Sequence, residues 1–195
     1  EDGLADTIRP RLDAMGANVA NIHAVNEPIT FDNGGLARLE DYIAKIKPTL
    51  VVVDPLVAYL GAGVNMHRSN ETRAVMSQLA HMAEKYRAAI LSIRHLTKGG
   101  AARPIYRGLG SIDFTASSRS VLLAGCDPEN PQNRGLVHIK SNLAPMGDAV
   151  GFELKDGNFY WTRECNLTAG RLLSAEDGKD KSAIEEASDF LKDEL

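Results

Sequence analysis

Two short apolar runs, each ending in a polar side chain, constrain this chain more than any other feature. Thr49-Leu50-Val51-Val52-Val53-Asp54-Pro55 is a β-branched run of the kind a buried strand needs, and it delivers a carboxylate at its end. Ala89-Ile90-Leu91-Ser92-Ile93-Arg94-His95 repeats the pattern with a histidine and runs on into Leu96-Thr97-Lys98-Gly99-Gly100. Between them Val75, Leu79, Met82 and Ala83 recur at helical spacing, with Ser69 or Asn70 as N-cap. Strand, helix, strand in that order predicts a parallel pair with Asp54 and His95 on one edge. Open α/β sheets bind their ligands at that edge. Taken singly, Asp54 also reads as an acid capping a buried strand, and His95 as a hydrogen-bonded rim residue.

The first half alternates helix and strand. Leu4, Ile8, Leu12 and Met15 share a helical face that Pro10 interrupts, and Val19 to Val25 reads as a short strand. Leu36, Leu39, Tyr42, Ile43 and Ile46 form a second helical face. Asp32-Asn33-Gly34-Gly35 caps it and Pro48 closes it. Gly61 to Asn70 reads as a loop on composition.

The second half changes character. Residues 120–124, 136–139, 149–154 and 158–161 are strand-like runs broken by turn residues, and Lys155-Asp156-Gly157-Asn158 signals a hairpin. Residues 174–181 read as a polar linker, and Ile184 to Leu195 as the start of an amphipathic helix. The expected organisation is one domain over 1–173, with linker and helix over 174–195. The first residue is Glu1 rather than Met, which implies a fragment, a processed product or an edited chain.

Charge sharpens the reading. The net charge is −4, but eight acids against three lysines in residues 174–195 leave the body near neutrality. No acid lies between Glu84 and Asp113, while Lys85, Arg87, Arg94, Lys98, Arg103 and Arg107 are basic. Such a stretch suits phosphate whatever the global sum. Leu96 to Tyr106 has no periodicity and reads as an exposed basic loop, either a phosphate contact or a solvated segment. Cys126 and Cys165 are the only cysteines and read as reduced thiols of a cytoplasmic protein, with a disulfide or metal pair as the alternative. No apolar run is long enough to span a bilayer, and no membrane partner is expected.

Three further segments carry a resemblance: Arg107-Gly108-Leu109-Gly110-Ser111-Ile112-Asp113-Phe114, the strand end Ile93-Arg94-His95-Leu96-Thr97-Lys98-Gly99, and Lys140-Ser141-Asn142 followed by Gly147. With them the chain, over Glu1 to Arg171, resembles the RecA-like ATPases of the RepA/DnaB hexameric helicase group. The RepA-like members found in phage and plasmid replication modules are the nearest in pattern. The resemblance implies an α/β, RecA-like P-loop NTPase fold: a three-layer αβα core, C-terminal antiparallel strands and a trailing helix. It also implies a DNA helicase-type nucleoside triphosphate hydrolase using ATP and Mg²⁺, acting on single-stranded DNA as a ring, expected to be a hexamer.

Site residues follow from the same resemblance. Glu1 resembles the base that polarises the attacking water, and Asp2 its acidic neighbour at the nucleotide. Asp54 resembles the acid that holds Mg²⁺ through water, and His95 the sensor of the γ-phosphate. Lys98, Arg103 and Arg107 would line the nucleic-acid channel, with Arg107 also near the nucleotide. Phosphoryl transfer needs a cation, often from a neighbouring subunit. The DnaB branch places K-x-R where this chain has Lys140-Ser141-Asn142. Arg119 is therefore the candidate finger with Lys140 beside it, and Arg107 the alternative.

One element of that family is not among these residues. No G-x-x-x-x-G-K-[ST] occurs in the 195 residues. That loop supplies most triphosphate affinity. The polypeptide as given is thus expected to be inactive by itself, with apolar strand edges exposed where the phosphate-loop strand would pair. Two other functions stay open: a non-hydrolysing nucleic-acid-binding or assembly module with a RecA fold, and a recombination- or clock-type ATPase without helicase activity.

Overall fold

The computed structural model describes residues 3–61, 68–96, 112–155, 157–162 and 165–177. The chain divides into two compact units, one of Glu1–Thr97 and Ile105–Val121, the other of Lys98–Pro104 and Leu122–Leu195. The fold is α/β, with a parallel sheet in the first unit and an antiparallel four-stranded sheet after it.

The first unit opens with a π-helical turn, Leu4–Ile8, that runs into helix α1, Arg9–Ala14. Pro10 sits in the first turn of α1, where its fixed φ suits the helix. The strand expected over Val19 to Val25 does not form. The Asn18 side chain accepts the Ala20 N–H at 3.2 Å and folds Val19–Asn21 into a 3-10 turn, leaving Ile22 and Val25 exposed.

Helix α2, Asn33–Ile46, begins where the sequence predicts. Asp32 accepts the N–H groups of Gly34 and Gly35 at 3.2 and 3.0 Å and the Thr30 hydroxyl at 2.6 Å. The Thr30 bond, then the Gly35 amide, hold the Asp32 carboxyl below its ordinary pKa. Gly35 has a steric reason to be glycine, because a Cβ there would stand 1.7 Å from the Thr30 carbonyl oxygen. Lys47 ends the helix in the left-handed region.

Strand β1, Leu50–Val53, pairs in parallel with β2, Ala89–Ser92, with Val53 opposite Ser92. Helix α3, Ser69–Tyr86, crosses between them. Its N-cap is Arg68 rather than Ser69 or Asn70: Arg68 is extended, and its carbonyl accepts the Thr72 N–H at 3.1 Å, so the helix starts one position early. Leu36, Leu39 and Ile43 of α2 meet Val75, Leu79 and Met82 of α3 in one buried cluster with Val53, Leu56 and Phe114. Each such side chain contributes about 1.5–3 kcal/mol by leaving water. Lys85 of α3 donates to Glu40 of α2 at 2.8 Å, with the Tyr86 hydroxyl on the same oxygen. Alternation then decides the other face of the sheet: Leu50, Val52 and Leu91 are exposed.

Helix α4, Asp113–Ser117, is one short turn. The second unit's sheet runs in the order β3 (Ser120–Cys126), β4 (Arg134–Ser141), β5 (Val150–Lys155) and β6 (Asn158–Thr162). All four strands lie where the turn residues divide the sequence. The hairpin pairs Lys155 with Asn158, and Gly157 takes the positive φ of 77° that its turn requires. Helix α5, Ala169–Asp177, extends into the stretch that composition reads as linker, and buries Leu172 and Leu173. Its Leu172 reaches Gly125 of β3 closely enough that a Cβ there would lie 3.4 Å away. Arg171 holds the β3–β4 connection with a fork onto both Asp127 oxygens at 3.0 Å and a bond to Glu129 at 2.8 Å. No helix among the described residues is long and apolar enough to cross a membrane.

Candidate active site

The parallel ladder brings Asp54 and His95 to one edge. The Ile93 N–H donates to the Val53 carbonyl at 2.9 Å, and the Leu56 N–H donates to the Ile93 carbonyl at 2.8 Å. Strand pairing therefore continues past Val53 and Ser92 and fixes the backbone on both sides of Asp54. Val53 and Leu56 are buried while Asp54 between them is exposed. The apolar neighbours anchor the strand end and the carboxylate projects from it. His95, three residues beyond β2, is likewise exposed.

Arg94 precedes His95 and turns the other way. Its guanidinium lies 5.0 Å from the centre of the Phe114 ring. Burial pushes the Arg94 pKa below the ordinary guanidinium value. Phe114 is 1% exposed and belongs to the first unit's core. Asp113 beside it is also buried and accepts from Arg73 of α3 at 2.5 Å. In the sequence Asp113 and Phe114 stand inside a motif that gives them no separate task, and Arg73 lies forty residues away from its partner Asp113. The signal was present as an acid directly before a buried aromatic, in a stretch otherwise free of acids.

The remaining predicted residues distribute as follows. Arg119 is exposed between α4 and β3, in the first unit. Lys140 is half-buried near the end of β4, in the second. Glu1, Asp2, Lys98, Arg103 and Arg107 lie outside the described residues, as does most of the loop from Leu96 to Tyr106. Cys126 and Cys165 are free thiols.

The donor set can be tested against Mg²⁺ with ATP. No group of three or more histidine, cysteine or acidic side chains able to hold a metal occurs among the described residues. An exposed single carboxylate at a strand end is nonetheless the donor Mg²⁺ uses when phosphates and water complete its shell. Asp54 fits that requirement.

Residues 1–101 match a family model described as an AAA domain. No curated protein matches the chain. The matched region contains β1, α3, β2 and the edge carrying Asp54 and His95, and AAA domains are ATPase domains that generally use ATP and Mg²⁺. As the match spans just over half of the 195 residues, the chain belongs to the AAA domain family of ATPases.

Proposed function

We propose that these residues form part of the motor core of a RepA-like replication ATPase that acts on single-stranded DNA as a ring, with six subunits as the expected number. The observation that supports this reading is the placement of Asp54 and His95 on one edge of two adjacent parallel strands. Asp54 would hold Mg²⁺ through water, and the bound ion would neutralise charge on the transferred phosphoryl oxygens. Glu1 would orient the attacking water, with Asp2 beside it. His95 would sense the γ-phosphate and pass its state to the loop it leads into, where Lys98, Arg103 and Arg107 would touch the nucleic-acid backbone. Arg119 and Lys140 would serve the site of the adjacent subunit, with Arg107 the alternative finger.

The 195-residue polypeptide by itself is expected to bind Mg-ATP weakly, because a phosphate cradle of G-x-x-x-x-G-K-[ST] type is not among its residues. Low-micromolar affinity by isothermal titration would contradict that expectation. The codons upstream of Glu1 separate the ATPase reading from its main rival. A strand followed by that loop supports turnover, and an upstream sequence without it favours a binding or assembly module. Unwinding of a forked DNA by the full-length gene product supports a helicase. ATP hydrolysis that DNA does not stimulate, without unwinding, would contradict one.

A further inference from the structure

His95 stands two residues beyond the point where β1 holds its strand. Bonds to the Val53 carbonyl and from the Leu56 N–H fix Ile93, and Leu96 forms a single-residue bridge. Arg94 and His95 span the two positions between them. Extended backbone turns successive side chains to opposite sides. Arg94 carries on the side of Ile90, which packs against the first unit's core. His95 falls on the other side with Leu91, and both are exposed.

The surface that receives Arg94 is itself fixed. The guanidinium lies 5.0 Å from the ring centre of Phe114, which is fully buried in the core cluster. Helix α4, which carries that ring, has five residues and is too short to persist alone. Its neighbours hold it: Asp113 accepts from Arg73 of α3 at 2.5 Å, and the Ser118 hydroxyl donates to the Phe114 carbonyl at 2.7 Å. An arginine brings to this ring what an aliphatic side chain would not, a flat cation with a preferred seat on an aromatic face.

We propose that Arg94 is a positioning residue for ATP hydrolysis: seated on Phe114, it sets the direction in which His95 projects from the end of β2. The proposal rests on the reading of His95 as the group that meets the γ-phosphate. Arg94 points to the core and acts only through the imidazole beside it. That imidazole has to come within hydrogen-bond reach of a phosphate oxygen, and a misplacement of about 1 Å can cost roughly 100-fold in rate. Without the seat on Phe114, His95 keeps its chemistry and samples several directions. ATP affinity rests mainly on the phosphate cradle and should change little, while turnover should fall.

The test is a double-mutant cycle on Mg²⁺-dependent ATP hydrolysis by the full-length gene product. His95→Ala should lower kcat. Arg94→Met should lower kcat roughly tenfold or more, with KM for ATP within about twofold of wild type. Arg94→Lys, which returns a cation to the ring, should recover part of the loss. Added to His95→Ala, Arg94→Met should bring no further loss, because no imidazole is left to place. If Arg94→Met does not fold, Phe114→Leu removes the ring, keeps the arginine and completes the same cycle. An equal fractional loss in both backgrounds would mark Arg94 as merely structural and overturn the proposal. Wild-type kcat in Arg94→Met beside a slow His95→Ala would overturn it too, and would leave the reading of His95 standing. Wild-type kcat in His95→Ala would overturn that reading itself, and the proposal with it.

Discussion

Arg94 rests its guanidinium 5.0 Å from the ring centre of Phe114, tying the end of β2 to the first turn of α4. Arg94 stands two residues beyond β2, and its partner in α4 is twenty residues further along the chain. Asp113 adds a second tie, to Arg73 on α3. The histidine proposed to sense phosphate therefore sits beside a residue anchored in the first unit's core.

Replacing Arg94 with Met removes the cation from over the ring and keeps a side chain of similar length. The expected cost is about 0.5–2 kcal/mol, the range for a cation over an aromatic face. Urea denaturation should show a lower midpoint with an unchanged slope. An unaltered midpoint would mean that the contact contributes nothing.

Alternation along β1 predicts opposite outcomes at neighbouring valines. Val52 is 52% exposed and Val53 is 5% exposed. Val52→Thr should change stability by less than about 0.5 kcal/mol, whereas Val53→Thr buries a hydroxyl and should cost about 1–3 kcal/mol. Equal costs at the two positions would show that both faces of the sheet are covered.

The Asp127–Arg171 fork makes acid stability depend on one carboxylate. The Arg171 hydrogen bond holds the Asp127 pKa below its ordinary 3.8. A depressed carboxyl stabilises the fold above its unfolded pKa and loses that contribution as pH falls through the folded value. Arg171→Met should therefore lower Tm most at neutral pH, with the gap to wild type narrowing as pH drops below about 3.8. Parallel Tm curves for the two proteins across that range would contradict the linkage.

Much of this architecture was legible because local signals agreed with one another. Asp32 with two glycines marks the start of α2, the run Leu50–Val53 marks β1, and Asp-Gly marks the β5–β6 turn. The shared edge of Asp54 and His95 followed from strand, helix, strand order alone. Val19 to Val25 misled because its apolar content suggests a strand, while an asparagine side chain captured the backbone first. Arg94 over Phe114 was hidden because the partners are far apart in sequence and neither periodicity nor spacing joins them. The ring cluster of Phe152, Phe159 and Trp161 needed the strand register before the three could be placed together.

The most direct test of the account is Mg²⁺-dependent ATP hydrolysis by the full-length gene product, comparing wild type with Asp54→Asn. Removing the carboxylate proposed to hold the ion should lower kcat roughly 100-fold or more, with the fold unchanged by circular dichroism. Wild-type turnover by Asp54→Asn would contradict the assignment of this strand edge as the catalytic one.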